Sequence, residues 1–480
     1  MAEPQRYEVI VIGAGPAGVN AAVTAAMLGK SVVVVEKNAV VGGAGANTGT
    51  LPSKTLRETA LALSGLKARK LYGLDLSLRR EATIPELLFH ERMVKRAAQT
   101  EILGLFQRTR IPLIHGAARF LNAHTISVAG AGEGEQRLYG EVIIIAIGSA
   151  PVQPPLFPFA HSRVWDSDEI LELKHMPQSL AVVGAGIIGS EYACTFAALG
   201  RKVHIVDGRD ALLPFLDQEV SETLQRAMMA LGIEFHWNEN VVSCEASDDH
   251  VRLKLASGRE LVVDAVLVAA GRTSHTEQLN PEAAGLLLGK RGLIPVNDYF
   301  QTNVPHIYAV GDVVGFPALA STSAEQGRVA ASHACGAYLL AGMPPLLPTG
   351  IYTIPEAAMV GETEGSLKSQ GIDYVVGKAT YAENSRGKII GDDIGFLKLL
   401  FRREDLRLVG VHVIGEQATE LVHIGMMAMR AGGGTDLFLH TCFNYPTLGN
   451  LYKQATYKAL ITLYGNLDAV PKSDFNHLAN

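Results

Sequence analysis

The apolar positions of this chain fall into two textures. Unbroken β-branched runs of strand length occur at "YEVIVI" (7–12), "SVVVVE" (31–36), "EVIIIA" (141–146), "LAVV" (180–183), "KVHIVD" (202–207), "DAVLVA" (264–269) and "HIYAV" (306–310). Runs of this kind read as strands buried on both faces, as in a parallel sheet. Ala-rich helical stretches separate two pairs of them, so residues 7–37 and 179–210 each read strand, tight turn, helix, strand. After about Pro348 the pattern changes to alternating strands such as "FLKLLF" and "LVGVHVIG", then to helical periodicity from Thr419. That texture predicts a separate α+β domain. The Pro-rich "APVQPPLFPF" (150–159) reads as a linker and Gly432–Gly434 as a flexible loop. The expected architecture is α/β: two Rossmann-like dinucleotide-binding domains and a C-terminal α+β domain. Its boundaries fall at 1–150, 151–275, 276–347 and 348–480.

The turns carry the chemistry. In the first unit Gly13, Gly15 and Gly18 follow the strand, and Glu36 ends the next strand, 23 positions beyond Gly13 (36 − 13). The second unit repeats this with Gly184, Gly186, Gly189 and Asp207, again 23 positions apart (207 − 184). The first glycine makes the turn, the second lets backbone approach a pyrophosphate, and the third lets helix and strand pack closely. The helix N-terminus faces the phosphates, and the acid accepts hydrogen bonds from a ribose diol. Two dinucleotide sites in one chain imply electron transfer between a retained flavin and an exchangeable nicotinamide. Asp207 favours the ribose of NAD, but Arg209, two residues on, could turn toward the 2′-phosphate of NADP. Dual use with tighter NAD(H) binding is the expectation.

Composition narrows the class. A chain of 480 residues should hold about three domains. A net charge of -6 disfavours nucleic acid as the main partner. Runs of the roughly 18 apolar residues needed for a membrane helix are absent, and nothing resembles a signal peptide ahead of the first strand. A cytoplasmic protein is expected. The four cysteines (Cys194, Cys244, Cys335, Cys442) are dispersed without a Cys-x-x-Cys, so no metal site is expected and buried thiols are the reading.

Taken together, the two glycine units and the segments "NTGTLPSK", "LPTGIYTIPE" and "TCFNYPTL" resemble the pyridine nucleotide-disulfide oxidoreductase family, and within it the Si-specific transhydrogenase branch. The resemblance implies FAD as retained cofactor, with NAD(H) and NADP(H) as exchangeable substrates. It places Gly13, Gly15, Gly18, Glu36, Lys37 and Gly43 around FAD. Asp312, after Gly311 in "GDVVG", would bind the ribityl chain, and Ser149 would end a strand near the cofactor in a mildly divergent "AIGS". Gly184, Gly186, Gly189, Asp207, Arg209 and Gly271 would form the nicotinamide coenzyme site. Lys54 would sit beside the flavin, paired with Glu191. A homodimer or larger homo-oligomer is implied, joined through the C-terminal domain, with Tyr445 reaching toward the partner's flavin.

The departure from the family lies in "GGAGANTGTLPSK" (42–54), which contains no Cys, His, Asp or Glu before Lys54. In the disulfide reductases two cysteines stand where this chain has Gly45 and Thr50, and a His and a Glu stand at Tyr445 and Asn450. Joint loss of all four implies no dithiol step. The resemblance then implies a ping-pong hydride exchange between NADPH and NAD+ through flavin N5, with the loop as a cradle. An NAD(P)H-dependent flavin oxidoreductase that passes electrons to oxygen, a quinone or another small acceptor is the alternative. A nucleotide-sensing flavoprotein and a thiol reductase using Cys442 are weaker readings.

Overall fold

A computed structural model describes residues 3–65, 83–130, 134–337 and 342–470. Strand Gln5–Ile12 pairs in parallel with Val32–Glu36 on one side and with Gln136–Ile145 on the other. Val9–Ile12 and Val32–Val35 are all buried, as unbroken apolar runs require. Each such side chain contributes about 1.5–3 kcal/mol on burial. Strand Ile307–Ala309 also pairs with Gln136–Ile145. The chain therefore returns to its first sheet after building the second. Helix Ala320–Ala334 then packs against helix Pro16–Met27 at backbone distance, because Gly327 lets it: a Cβ there would lie 2.2 Å from the Ala17 carbonyl oxygen.

The second sheet has five parallel strands, in the order Ile233–Trp237, Lys202–Asp207, Ser179–Val183, Ala265–Val268 and Val164–Asp166. A three-stranded antiparallel sheet (241–263) covers one of its faces, with Val251, Leu253 and Val263 packed on Ala181, Val206 and Val266. The Pro-rich linker begins with a short strand, Ala150–Pro151, paired with Arg272–Thr273, so the second unit's entry and exit run side by side.

The C-terminal domain is a five-stranded antiparallel sheet backed by helices Ala418–Arg430 and Leu451–Tyr464. A buried ion group joins it to the second unit. Lys398, on strand Phe396–Arg402, donates to Asp217 Oδ1 at 2.9 Å, and both side chains are 2% exposed. Glu364 and Glu219 complete the group.

Two expectations fail locally. Gly42–Lys54 is not a loop: helices Gly43–Asn47 and Thr50–Ser64 cover most of it. Gly42 turns the chain in the left-handed region (φ 102), and Pro52 sits in the first helical turn, where a missing N–H costs nothing. Gly432–Gly434 is a packed turn rather than a flexible loop. The Gly433 carbonyl accepts from the Leu408 amide, and a Cβ on Gly434 would lie 2.3 Å from the Leu406 carbonyl oxygen.

Candidate active site

The two glycine turns are built alike. A Cβ on Gly13 would lie 2.3 Å from the Ala146 carbonyl oxygen, and one on Gly18 would lie 1.9 Å from that of Gly13. Gly184 and Gly189 are enclosed in the same way, at 2.5 Å from Ala269 O and 1.9 Å from Gly184 O. Protein packing thus accounts for the first and third glycines. It does not account for the second. Gly186 has nothing within 4 Å of its Cβ direction, and Gly15 meets only the Gly43 Cα at 3.7 Å. Neither helix that follows has a side-chain cap, so the first-turn N–H groups are left for a ligand. This open, uncapped cradle fits a pyrophosphate in both units.

The acid ending each second strand closes its turn from below. Glu36 Oε2 accepts from the Ala14 amide at 2.8 Å and Oε1 from the Asn38 amide at 2.8 Å. Asp207 Oδ2 accepts from the Ala185 amide at 2.6 Å. Each Glu36 oxygen retains a lone pair for a ribose hydroxyl, whereas each Asp207 oxygen already accepts two bonds, so a ribose there must displace the Arg209 side chain. Lys37 is exposed beside Glu36, and Gly43 packs on Gly15, with a Cβ direction 2.8 Å from its Cα.

Arg209 differs from expectation. Its guanidinium folds back onto Asp207, with Nε at 2.8 Å from Oδ1 and Nη2 at 2.6 Å from Oδ2. Burial works against the Asp207 charge, but the bonds from Arg209 and the two backbone amides outweigh it and hold the carboxyl at about 2. Two like-minded donors on one carboxylate explain the fold-back: a bidentate pair within one turn has a stronger partner than solvent.

Between the units lies a second ion pair. Lys54 Nζ is 2.5 Å from Glu191 Oε2, with side-chain exposures of 25% and 6%. Glu191 Oε1 accepts from the Tyr352 amide at 3.0 Å, and Nζ lies 5.0 Å from the Tyr352 ring centroid. The first unit's helix, the second unit's helix and the C-terminal domain therefore meet at one cation. The neighbouring short helix is fixed by Asn47, whose amide donates to the Val41 and Gly43 carbonyls and accepts from Gln99. Gly45 presses on the Pro16 ring, which a Cβ would approach to 2.6 Å.

A polar chain crosses the same region, joining the expected Ser149 and Asp312 to Arg272 and Asp168, which the sequence reading missed. Ser149 donates to Asp312 Oδ2 at 2.6 Å. Arg272 donates to Ser149 Oγ at 2.8 Å and to the Ser149 carbonyl at 2.7 Å, and reaches Asp168 Oδ1 at 3.5 Å. Asp168 also hydrogen-bonds Thr48, and burial pushes its carboxyl above the ordinary range against the opposition of Arg272. Gly271 precedes Arg272 with φ +105, and the Gly311 amide donates to Gln326 Oε1 at 2.7 Å. No local spacing marks Arg272 or Asp168 in the sequence.

The cysteines are not in this constellation. All four are free, and only Cys194 is fully buried; Cys442 is exposed, contrary to the buried reading. Burial pushes the Cys194 thiol up to about 12 and Cys244 up to about 11. Tyr445 is 73% exposed and shares a 2.7 Å hydroxyl contact with Ser385.

Two matched glycine turns, a cation between them and a separate antiparallel domain define a class of protein. The chain belongs to the pyridine nucleotide-disulphide oxidoreductase family, whose sequence profile matches residues 7–327. The profile of that family's dimerisation domain matches residues 347–456. Among its relatives is a soluble pyridine nucleotide transhydrogenase of Mycobacterium bovis (strain BCG), 46% identical over 94% of this chain and 96% of its own. A protein of the same name from Colwellia psychrerythraea is 40% identical over 95% of this chain and 99% of its own. Of solved structures, the HOCl-induced flavoprotein disulfide reductase RclA of Escherichia coli superposes with a TM-score of 0.83. It is 27% identical, with 93% of this chain and 99% of that one covered. Among the described residues, no helix is long and apolar enough to cross a membrane.

Proposed function

We propose that this protein is a soluble, cytoplasmic pyridine nucleotide transhydrogenase of the Si-specific type, exchanging hydride between NADPH and NAD+. The observation that carries this reading is the pairing of an intact Lys54–Glu191 site with a thiol-free segment 42–54. The relatives' names and their near full-length match support it. FAD, when bound, supplies a two-electron hydride acceptor and donor. The first glycine turn and helix Pro16–Met27 would hold its pyrophosphate, Glu36 its adenosine ribose, and Asp312, fixed by Ser149, its ribityl chain. Gly184–Gly189 and Asp207 would hold each nicotinamide coenzyme in turn.

The chain's own part is positioning and electrostatics. Lys54 keeps a positive charge in the cleft that favours negative charge developing in what the cradle holds. Glu191 fixes that cation and is fixed by Tyr352. The reaction is ping-pong: NADPH enters and NADP+ leaves, then NAD+ enters and NADH leaves. Homodimerisation through residues 347–456 is part of the proposal, and the exposed Met427, Ile461 and Tyr445 lie in that segment or beside it.

The test is an assay of the purified holoprotein with its accessible cysteines alkylated and the buried Cys194 replaced by Ala. NADPH should reduce an NAD+ analogue with no added thiol. Loss of that exchange on alkylation, with flavin retained, would refute a thiol-free route.

A further inference from the structure

On the outer edge of the second sheet, strands Lys202–Asp207 and Ile233–Trp237 run parallel, with His204 opposite Glu234 and Val206 opposite His236. The two-residue period of a strand places His204, Glu234 and His236 on one face. His204 Nδ1 lies 3.2 Å from His236 Nε2 and 3.3 Å from Glu234 Oε2. One ligand atom from each residue falls within 4.8 Å of the others. Bonds of about 2.0–2.1 Å to a tetrahedral ion put its ligands about 3.3 Å apart. We propose that His204, Glu234 and His236 form a binding site for one divalent transition-metal ion of the zinc class.

The chemistry of the donors supports the geometry. Two imidazoles and one carboxylate suit zinc and its borderline neighbours rather than calcium or magnesium. Both rings are buried, so the strands that carry them hold the two imidazoles in place. Glu234 is 50% exposed, which leaves the remaining coordination position to water.

Two cations oppose the ion. Arg259 Nη1 is 3.4 Å from His236 Nδ1, and Lys202 Nζ is 3.7 Å from Glu234 Oε1. Both side chains reach solvent. With Arg259 donating to Nδ1, the His236 proton sits on Nε2 and points at His204. Metal selects the other tautomer, and Arg259 turns away. Without the ion the two rings share a hydrogen bond and Glu234 only approaches His204 Nδ1; with it the trio is a ligand set. The strand from His204 ends at Asp207, whose partner across the sheet, Trp237, follows His236. An ion here ties the edge strand to the strand carrying the coenzyme carboxylate. The inference stands apart from the hydride-exchange reading.

The experiment is equilibrium dialysis of the flavin-loaded protein against zinc chloride near neutral pH, with metal per chain read by atomic absorption. Cobalt(II) visible bands give the geometry. One zinc per chain is expected, absent in His236→Gln. Glu234→Ala, at an exposed position that leaves folding intact, should weaken it by about tenfold or more. Arg259→Gln should tighten it, a response that scattered surface binding would not give. Equal zinc content in the wild type, His236→Gln and Glu234→Ala overturns the site. So does an absence of bound zinc in the wild type, or loss of the ion on Cys442→Ser alone.

Discussion

Lys54 and Glu191 stand 137 residues apart in the chain and 2.5 Å apart in space. Glu191 is nearly buried, so the pair couples two functions: charge in the cleft and cohesion between units. Lys54→Met should keep FAD bound but slow its reduction by NADPH by about 10²-fold, the scale of losing one positioned electrostatic partner. It should also lower the unfolding midpoint, since a buried carboxylate left unpaired costs about 3–5 kcal/mol. Stopped-flow absorbance and thermal melts of the same preparation check both. Unchanged reduction kinetics would remove Lys54 from the site.

The glycines should separate ligand space from packing space. Gly15→Val places its Cβ 3.7 Å from the nearest protein atom, so the chain should fold and emerge colourless. Gly18→Val forces a Cβ to 1.9 Å from the Gly13 carbonyl oxygen, so it should fail to fold. Flavin absorbance together with circular dichroism distinguishes these outcomes. A folded, fully yellow Gly15→Val protein would refute the cradle.

Coenzyme choice turns on Asp207 and Arg209. While Arg209 is held by both oxygens of Asp207, a 2′-phosphate must compete for it. Asp207→Asn removes that hold and should tighten NADPH by about tenfold, or about 1.4 kcal/mol. Arg209→Ala should weaken NADPH more than NADH. Because the folded Asp207 carboxyl is depressed to about 2, its charge persists through and below the ordinary aspartate range and is lost only as pH falls toward that value. Asp207 should therefore add no pH dependence to the NADPH-to-NADH preference across roughly pH 5–8, and any change there should follow the 2′-phosphate, whose second ionisation lies at about 6. Isothermal titration of each coenzyme measures it. Equal weakening of both coenzymes by Arg209→Ala would end the phosphate role.

The junction of the second unit with the C-terminal domain should be pH-limited on both sides. Asp217 and Glu364 are held below their ordinary range, where bonds from Lys398 outweigh burial, and Lys398 is raised by the same bonds. The acids contribute stability above their unfolded values near 4, and it is lost as pH falls through the folded ones. The lysine contributes below its unfolded value near 10.4, and that is lost as pH rises through the folded one. Lys398→Met should cost about 3–5 kcal/mol by stranding Asp217, and Lys398→Met with Asp217→Asn should recover part of it. Denaturant melts at neutral pH test this; equal costs for the single and double variants would contradict it.

What the sequence made legible was local. The glycine turns and their acids sit at fixed spacing within one strand-turn-helix-strand unit, and the structure builds both as that spacing implies. Glycine content misled twice, at 42–54 and 432–434, because glycine there serves close packing rather than looseness. The Arg209 fold-back is a side-chain choice that spacing does not encode. Asp168 with Arg272, His204 with His236, and Lys398 with Asp217 are brought together only by strand pairing and domain docking. Lys54 with Glu191 was reachable only through resemblance.

The central claim is tested most directly by anaerobic stopped flow on the cysteine-alkylated Cys194→Ala protein. The protein is first reduced with one equivalent of NADPH and then mixed with NAD+. The account predicts full return of the yellow absorbance with stoichiometric NADH, and parallel double-reciprocal plots at steady state. A protein that stays bleached with NAD+, yet recovers its colour at once with oxygen or a quinone, would contradict it.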